Sequence, residues 1–154
     1  MSLTANWNYP TSIRFGVGRI AELADICRSQ GIERPLLVTD SGLARAPMTI
    51  ATLEALGAAG LGVTLFCDLK PNPVEANLAG GLDAWRAGNH DGVIAFGGGS
   101  GLDMGKLIAF MSGQTRPIRL SSATTGPVPM KAGSPRSLQC RLRRARGRKW
   151  AVQR

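Results

Sequence analysis

Short aliphatic runs alternate along the chain with longer stretches in which apolar residues recur every three or four positions. Strands are predicted at residues 11–15, 36–39, 63–66 and 92–96, of which the second and fourth are apolar enough to be buried. Between them, Ile20, Leu23, Ala24 and Cys27 predict a helix that stops at Gly31. Leu53, Leu56 and Ala59 predict a second, running out across residues 57–62. Leu78, Leu82 and Trp85 share one side of a third, over residues 74–87. Strands alternating with helices of this length predict right-handed βαβ units and a parallel sheet covered on both faces.

The fourth run leads straight into Gly97-Gly98-Gly99-Ser100 and then into a helical stretch through Leu107, Ile108, Phe110 and Met111. Ser100 with Asp103 makes an S-x-x-D pattern, which predicts a capped helix start. Glycine turns at positive φ and lets a ligand approach bare backbone. A helix N-terminus adds unpaired N–H groups and a positive dipole end, so strand, glycine turn and helix together predict an anion site. Phosphate or pyrophosphate is the ligand to expect. The run is neither G-x-G-x-x-G, since Leu102 stands where the third glycine would, nor a Walker A loop, since Leu107 follows Lys106.

Ligands of parallel sheets collect at the carboxyl ends of the strands. Asp40 ends the second run, so the pattern places it on the same edge as residues 97–100. Its carboxylate suits either a ribose diol or the turn that follows, and the pattern alone leaves both open. Asn72 reads first as a turn residue after Pro71, Lys106 as a solvated or ion-paired lysine, and Asp103 as a helix-start carboxylate.

Taken whole, Gly97-Gly98-Gly99-Ser100-Gly101-Leu102-Asp103-Met104-Gly105-Lys106 resembles the GGGSxxDxAK signature of the iron-containing alcohol dehydrogenases. Gly105 replaces the usual alanine, which reads as a small-for-small change. Pro71-Asn72-Pro73 is similar to that family's NP element, and Phe15-Gly16-Val17-Gly18 to its early F-G-x-G turn. The resemblance spans about residues 8–118 and implies a Rossmann-like α/β nucleotide-binding domain of the dehydroquinate synthase-like kind. It implies NAD, rather than NADP, held by Asp40 at the adenosine ribose, by Gly97, Gly98, Gly99 and Ser100 at the pyrophosphate, and by Asn72 and Asp103 nearby. A glycerol dehydrogenase or dehydroquinate synthase relative is the neighbouring alternative. The family's Fe²⁺ or Zn²⁺ sits on an aspartate and three histidines of a later helical domain, and polarises a small alcohol or aldehyde during hydride transfer. The one histidine here, His90, reads as a solvated turn residue. A metal is therefore expected in intact relatives only, and this chain is expected to turn over little or no alcohol.

Charge divides the chain in two. The net charge is +9, but residues 1–118 hold nine Lys/Arg against all ten acids, and residues 119–154 hold ten basic residues and no acid. Residues 1–118 read as the dinucleotide-binding domain, and residues 119–154 as a basic, disordered tail. One base out of phase, codons compatible with residues 140–153 permit PTTAGTGSEVGRA, similar to the family's next cofactor-binding motif. That predicts a frameshift near Ile118. Taken at face value the tail is instead a nucleic-acid-binding extension, a reading that rests on charge alone.

Cys27, Cys67 and Cys140 lack metal-ligand or disulfide spacing and read as reduced thiols, the first two in the core. Residues 1–10 show no apolar signal segment, and no run of eighteen apolar residues occurs. A cytoplasmic protein, free of membrane and compatible with a homodimer, is the expectation.

Overall fold

The computed structural model describes residues 13–69, 72, 74–114, 136–141 and 151–153. Six strands among these form one sheet in the order β1-β6-β5-β4-β2-β3. They are β1 (Ile13–Phe15), β2 (Pro35–Val38), β3 (Thr64–Phe66), β4 (Gly92–Gly97), β5 (Arg136–Arg141) and β6 (Ala151–Gln153). Four helices accompany them: α1 (Leu23–Ser29), preceded by a 3-10 turn at Arg19–Glu22, α2 (Pro47–Ala58), α3 (Glu75–Ala87) and α4 (Gly99–Ser112). Helices α3 and α4 lie within a residue of the predicted stretches, whereas α2 starts at Pro47, six residues before the first apolar position that predicted it, and the stretch from Ile20 opens as a 3-10 turn before α1.

Strands β3, β2, β4 and β5 run parallel, whereas β6 pairs antiparallel with β5 and β1. The sheet is therefore mixed, with a parallel centre and an antiparallel flank that the alternation of runs did not predict.

Period-two alternation along the central strands builds two cores. Leu37, Ile94, Phe96, Leu138 and Cys140 pack with Leu23, Ile26 and Cys27 of α1 and Leu56 of α2. Leu36, Val38 and Val93 pack on the other face with Leu78 of α3 and with Met104, Ile108 and Ala109 of α4. Every residue of β4 is buried, as a strand covered on both sides requires.

Within the stretch read as a basic, disordered tail, residues 136–141 form β5 at an interior place in the sheet, in register with β4 at Ile94↔Leu138 and Phe96↔Cys140. Leu138 and Cys140 are buried at period two, a signal of only two residues that the surrounding arginines mask. Burying Leu138 stabilises by about 1.5–3 kcal/mol, and pairing satisfies the backbone groups along one edge of β4. Residues 115–135 and 142–150 lie outside the described residues, as do Pro71 and Pro73.

His90 is not solvated. It is 6% exposed, its Nδ1 lies 2.8 Å from the Arg34 carbonyl, and its Nε2 lies 2.6 Å from the Thr64 hydroxyl. A carbonyl can only accept, so Nδ1 carries a proton, while Nε2 pairs with the Thr64 hydroxyl. The histidine thereby pins the segment before β4 to the beginnings of β2 and β3.

Candidate functional site

The topology sets the site. The chain leaves β2 for β3 on one side and returns through α3 to β4 on the other, so the connections diverge between neighbouring strands β2 and β4. That divergence opens a crevice at the carboxyl ends of the two strands. Val38 pairs with Ala95, which brings Asp40 level with Gly97 two residues later. The expected neighbourhood of Asp40 and the glycine turn is thus present.

Gly97 has φ +123°, outside the range of residues bearing a Cβ. A Cβ placed there would lie 2.8 Å from Leu43 Cδ1, 3.4 Å from Thr39 Oγ1 and 3.7 Å from Asp40 Oδ2. Conformation and crowding both demand glycine. At Gly98 and Gly99 the reverse holds: a Cβ would meet nothing within 4 Å. The backbone there faces open space, which is what a bulky anion needs.

Helix α4 begins one residue before Ser100. Its N-cap is Gly98, no side chain caps it, and its first backbone bond runs from Leu102 N–H to the Gly98 carbonyl, 3.0 Å. The S-x-x-D capping pair is therefore not formed, because the helix already includes both residues. The N–H groups of Gly99, Ser100 and Gly101 precede that first bond and have no intrahelical acceptor. Ser100 is half-buried in this turn. Asp103 instead faces solvent, where Lys106 Nζ lies 3.3 Å from its Oδ1. The pair sits on the exposed side of α4 and does not bring Asp103 over the turn.

Asp40 is half-buried. Its Oδ1 accepts the Leu43 N–H at 2.9 Å, and its carbonyl accepts from Leu43 and Ala44 at 3.1 and 3.0 Å. One carboxylate oxygen thus braces the turn after β2, and Oδ2 lies on the Gly97 side. Both readings of Asp40 fit a single side chain with two oxygens.

Asn72 lies in the loop after β3 and is exposed, with φ 57°, a left-handed geometry that asparagine tolerates. That loop is anchored by a residue the sequence reading missed. Asn77, buried in α3, accepts the Val74 N–H through Oδ1 at 3.0 Å and donates through Nδ2 to the Asp68 carbonyl at 2.8 Å. An asparagine at the third helical position was the available signal. Thr39 was missed too: its side chain is fully buried beside Gly97 and Asp40, and its hydroxyl has no hydrogen-bond partner among the described residues.

Comparison with known proteins places this crevice in context. The sequence model of the iron-containing alcohol dehydrogenases matches residues 10–136. The chain is 31% identical over 122 residues to choline dehydrogenase of Bacillus subtilis, covering 79% of this chain and 30% of that protein. It is 39% identical over 97 residues to 1,3-propanediol dehydrogenase of Citrobacter freundii, covering 61% of this chain and 25% of that one. Among solved structures, sulfoacetaldehyde reductase from Bifidobacterium kashiwanohense, in complex with NAD⁺, superposes with TM-score 0.73 at 23% identity, over 98% of this chain and 43% of that one. A 1,3-propanediol oxidoreductase superposes with TM-score 0.65 at 25% identity, over 88% and 39%. The chain therefore spans less than half the length of each of these relatives.

The metal in the family's name does not fit the residues described. No group of three or more His, Cys, Asp or Glu side chains among them could hold an ion, and both ring nitrogens of His90 are engaged. Burial pushes the Cys27 thiol up to about 11 and the Cys140 thiol to about 12, so neither offers a thiolate near neutrality. The family's nucleotide-side fold is present, with its glycine signature at the carboxyl ends of β2 and β4, and the family match extends from residue 10 to residue 136. On both counts the chain belongs to the iron-containing alcohol dehydrogenase family.

Proposed function

We propose that the crevice between the ends of β2 and β4 binds NAD⁺. The observation that carries this reading is the open backbone at Gly98 and Gly99, above the uncapped start of α4 and beside Asp40. Gly97, Gly98, Gly99 and Ser100 would take the pyrophosphate, whose charge suits the free N–H groups and the helix dipole. Asp40 would accept from the adenosine ribose diol and repel a 2′-phosphate. Asn72 would close the site from the β3 loop. Asp103 has the weakest support of the set, since it points to solvent beside Lys106. The NAD⁺-bound relative and the family match support the choice of ligand.

For a full-length protein built on this domain, the reaction class is hydride transfer between a small alcohol or aldehyde and the nicotinamide. This chain's own residues would bind and orient the dinucleotide. The disfavoured alternative, nucleic-acid binding through the tail, loses force because residues 136–141 are part of the sheet. No helix among the described residues is long and apolar enough to cross a membrane. The three free cysteines support a cytoplasmic setting.

Nucleotide selectivity tests the proposal. The purified chain is expected to bind NAD⁺ at least about tenfold more tightly than NADP⁺, and Asp40→Ala to erase that preference. Equal affinities in the unaltered chain would contradict the role given to Asp40.

A further inference from the structure

Thr39 follows the last residue of β2, and its N–H donates to the Phe66 carbonyl at 3.0 Å. Its side chain is 0% exposed, yet its hydroxyl finds no partner among the described residues. A buried hydroxyl left unpaired is costly, and valine would fill the same volume without that cost. A partner gained when the crevice is occupied would remove that cost. The surroundings of the hydroxyl indicate which. Thr39 Oγ1 and Asp40 Oδ2 border the same small volume on one face of Gly97, within 3.4 and 3.7 Å of the point where a Cβ would stand. Asp40 commits Oδ1 to the Leu43 N–H, and among the described residues no hydrogen bond engages Oδ2.

We propose that Thr39 is a positioning residue: when nucleotide occupies the crevice, its hydroxyl donates to Asp40 Oδ2 and holds the carboxylate facing the ribose diol. Two donors, the Leu43 N–H and the Thr39 hydroxyl, then fix the two oxygens, leaving each a lone pair for one ribose hydroxyl. The inference rests on reading the crevice as a dinucleotide site, and goes beyond it by giving a role to a residue that never touches the ligand.

The test is calorimetric titration of the full 154-residue chain with NAD⁺, alongside thermal melts. Thr39→Val should weaken NAD⁺ binding about tenfold while leaving Tm unchanged or higher, since an unpaired hydroxyl is removed. Thr39→Ser should bind within about twofold of the unaltered chain. In an Asp40→Ala background, Thr39→Val should cause no further loss, because the residue acts through the carboxylate. Unchanged affinity in Thr39→Val, or a loss that multiplies with Asp40→Ala, overturns the inference while leaving the site reading intact. A Thr39→Ser variant as impaired as Thr39→Val overturns it as well, pointing to packing alone. A folded, unaltered chain that binds no NAD⁺ overturns both.

Discussion

At the scale of single residues, two glycines of one signature do different work. Gly97 is required by its φ and by the crowd of Leu43, Thr39 and Asp40 around it. Gly105 is required by packing: a Cβ there would lie 2.4 Å from Ala95 Cβ on β4. The exchange of alanine for glycine at this position is thus not small-for-small. It lets α4 lie closer to β4 than two facing methyl groups allow. Gly105→Ala is expected to destabilise the fold by about 1–3 kcal/mol, as measured by urea unfolding. Adding Ala95→Gly should recover a large part of that loss through the shared contact. Equal stability of Gly105→Ala and the unaltered chain would contradict the close approach. Sequence spacing shows that a glycine is present; only the facing residue shows why, which is also how His90 could look like a solvated turn residue while being buried beneath Trp85.

At the scale of elements, helices and central strands were legible because their apolar spacing is long and regular, as in α3, where Leu78, Leu82 and Trp85 share a face. Starts and ends were less so. The capping pattern at Ser100 was displaced by a glycine N-cap, since a helix entered from a glycine turn can begin without a side-chain cap. The edge strand β1 is held partly by charge. Glu22, in the 3-10 turn, accepts from Arg19 Nε at 2.7 Å and from Arg14 Nη1 of β1 at 2.5 Å. The hydrogen bonding of Arg19, which also donates through Nη2 at 2.9 Å, and then that of Arg14 hold its carboxyl at about 2, below the ordinary glutamate value of about 4.3. Because the folded value is the lower one, the contribution is complete above the unfolded value and disappears as pH falls toward about 2. The side chains are about one-third exposed, so the effect is small. The Tm difference between the unaltered chain and Glu22→Gln is expected to shrink to nothing across that window. A difference that persists undiminished at the acid end would contradict the assignment.

At the scale of the whole molecule, the crevice exists because β2 has β3 on one side and β4 on the other, and no single residue could have revealed that. The alternation of strands and helices made the parallel centre legible. The place of β5 was not, because it depends on the partner edge of β4 more than on its own arginine-rich sequence. Thiol labelling reads that placement directly. Cys140 is fully buried, whereas Cys67 is partly exposed, so in the folded chain iodoacetamide should modify Cys67 first and reach Cys140 only on unfolding. Labelling of Cys140 as fast as Cys67 would contradict a β5 inside the sheet. The central claim concerns the crevice itself, and an NAD⁺ titration followed by amide chemical shifts tests it most directly. The account predicts saturable shifts gathered on Asp40, Gly97, Gly98, Gly99, Ser100 and Gly101. Saturable shifts gathered elsewhere, or none at millimolar NAD⁺, would contradict it.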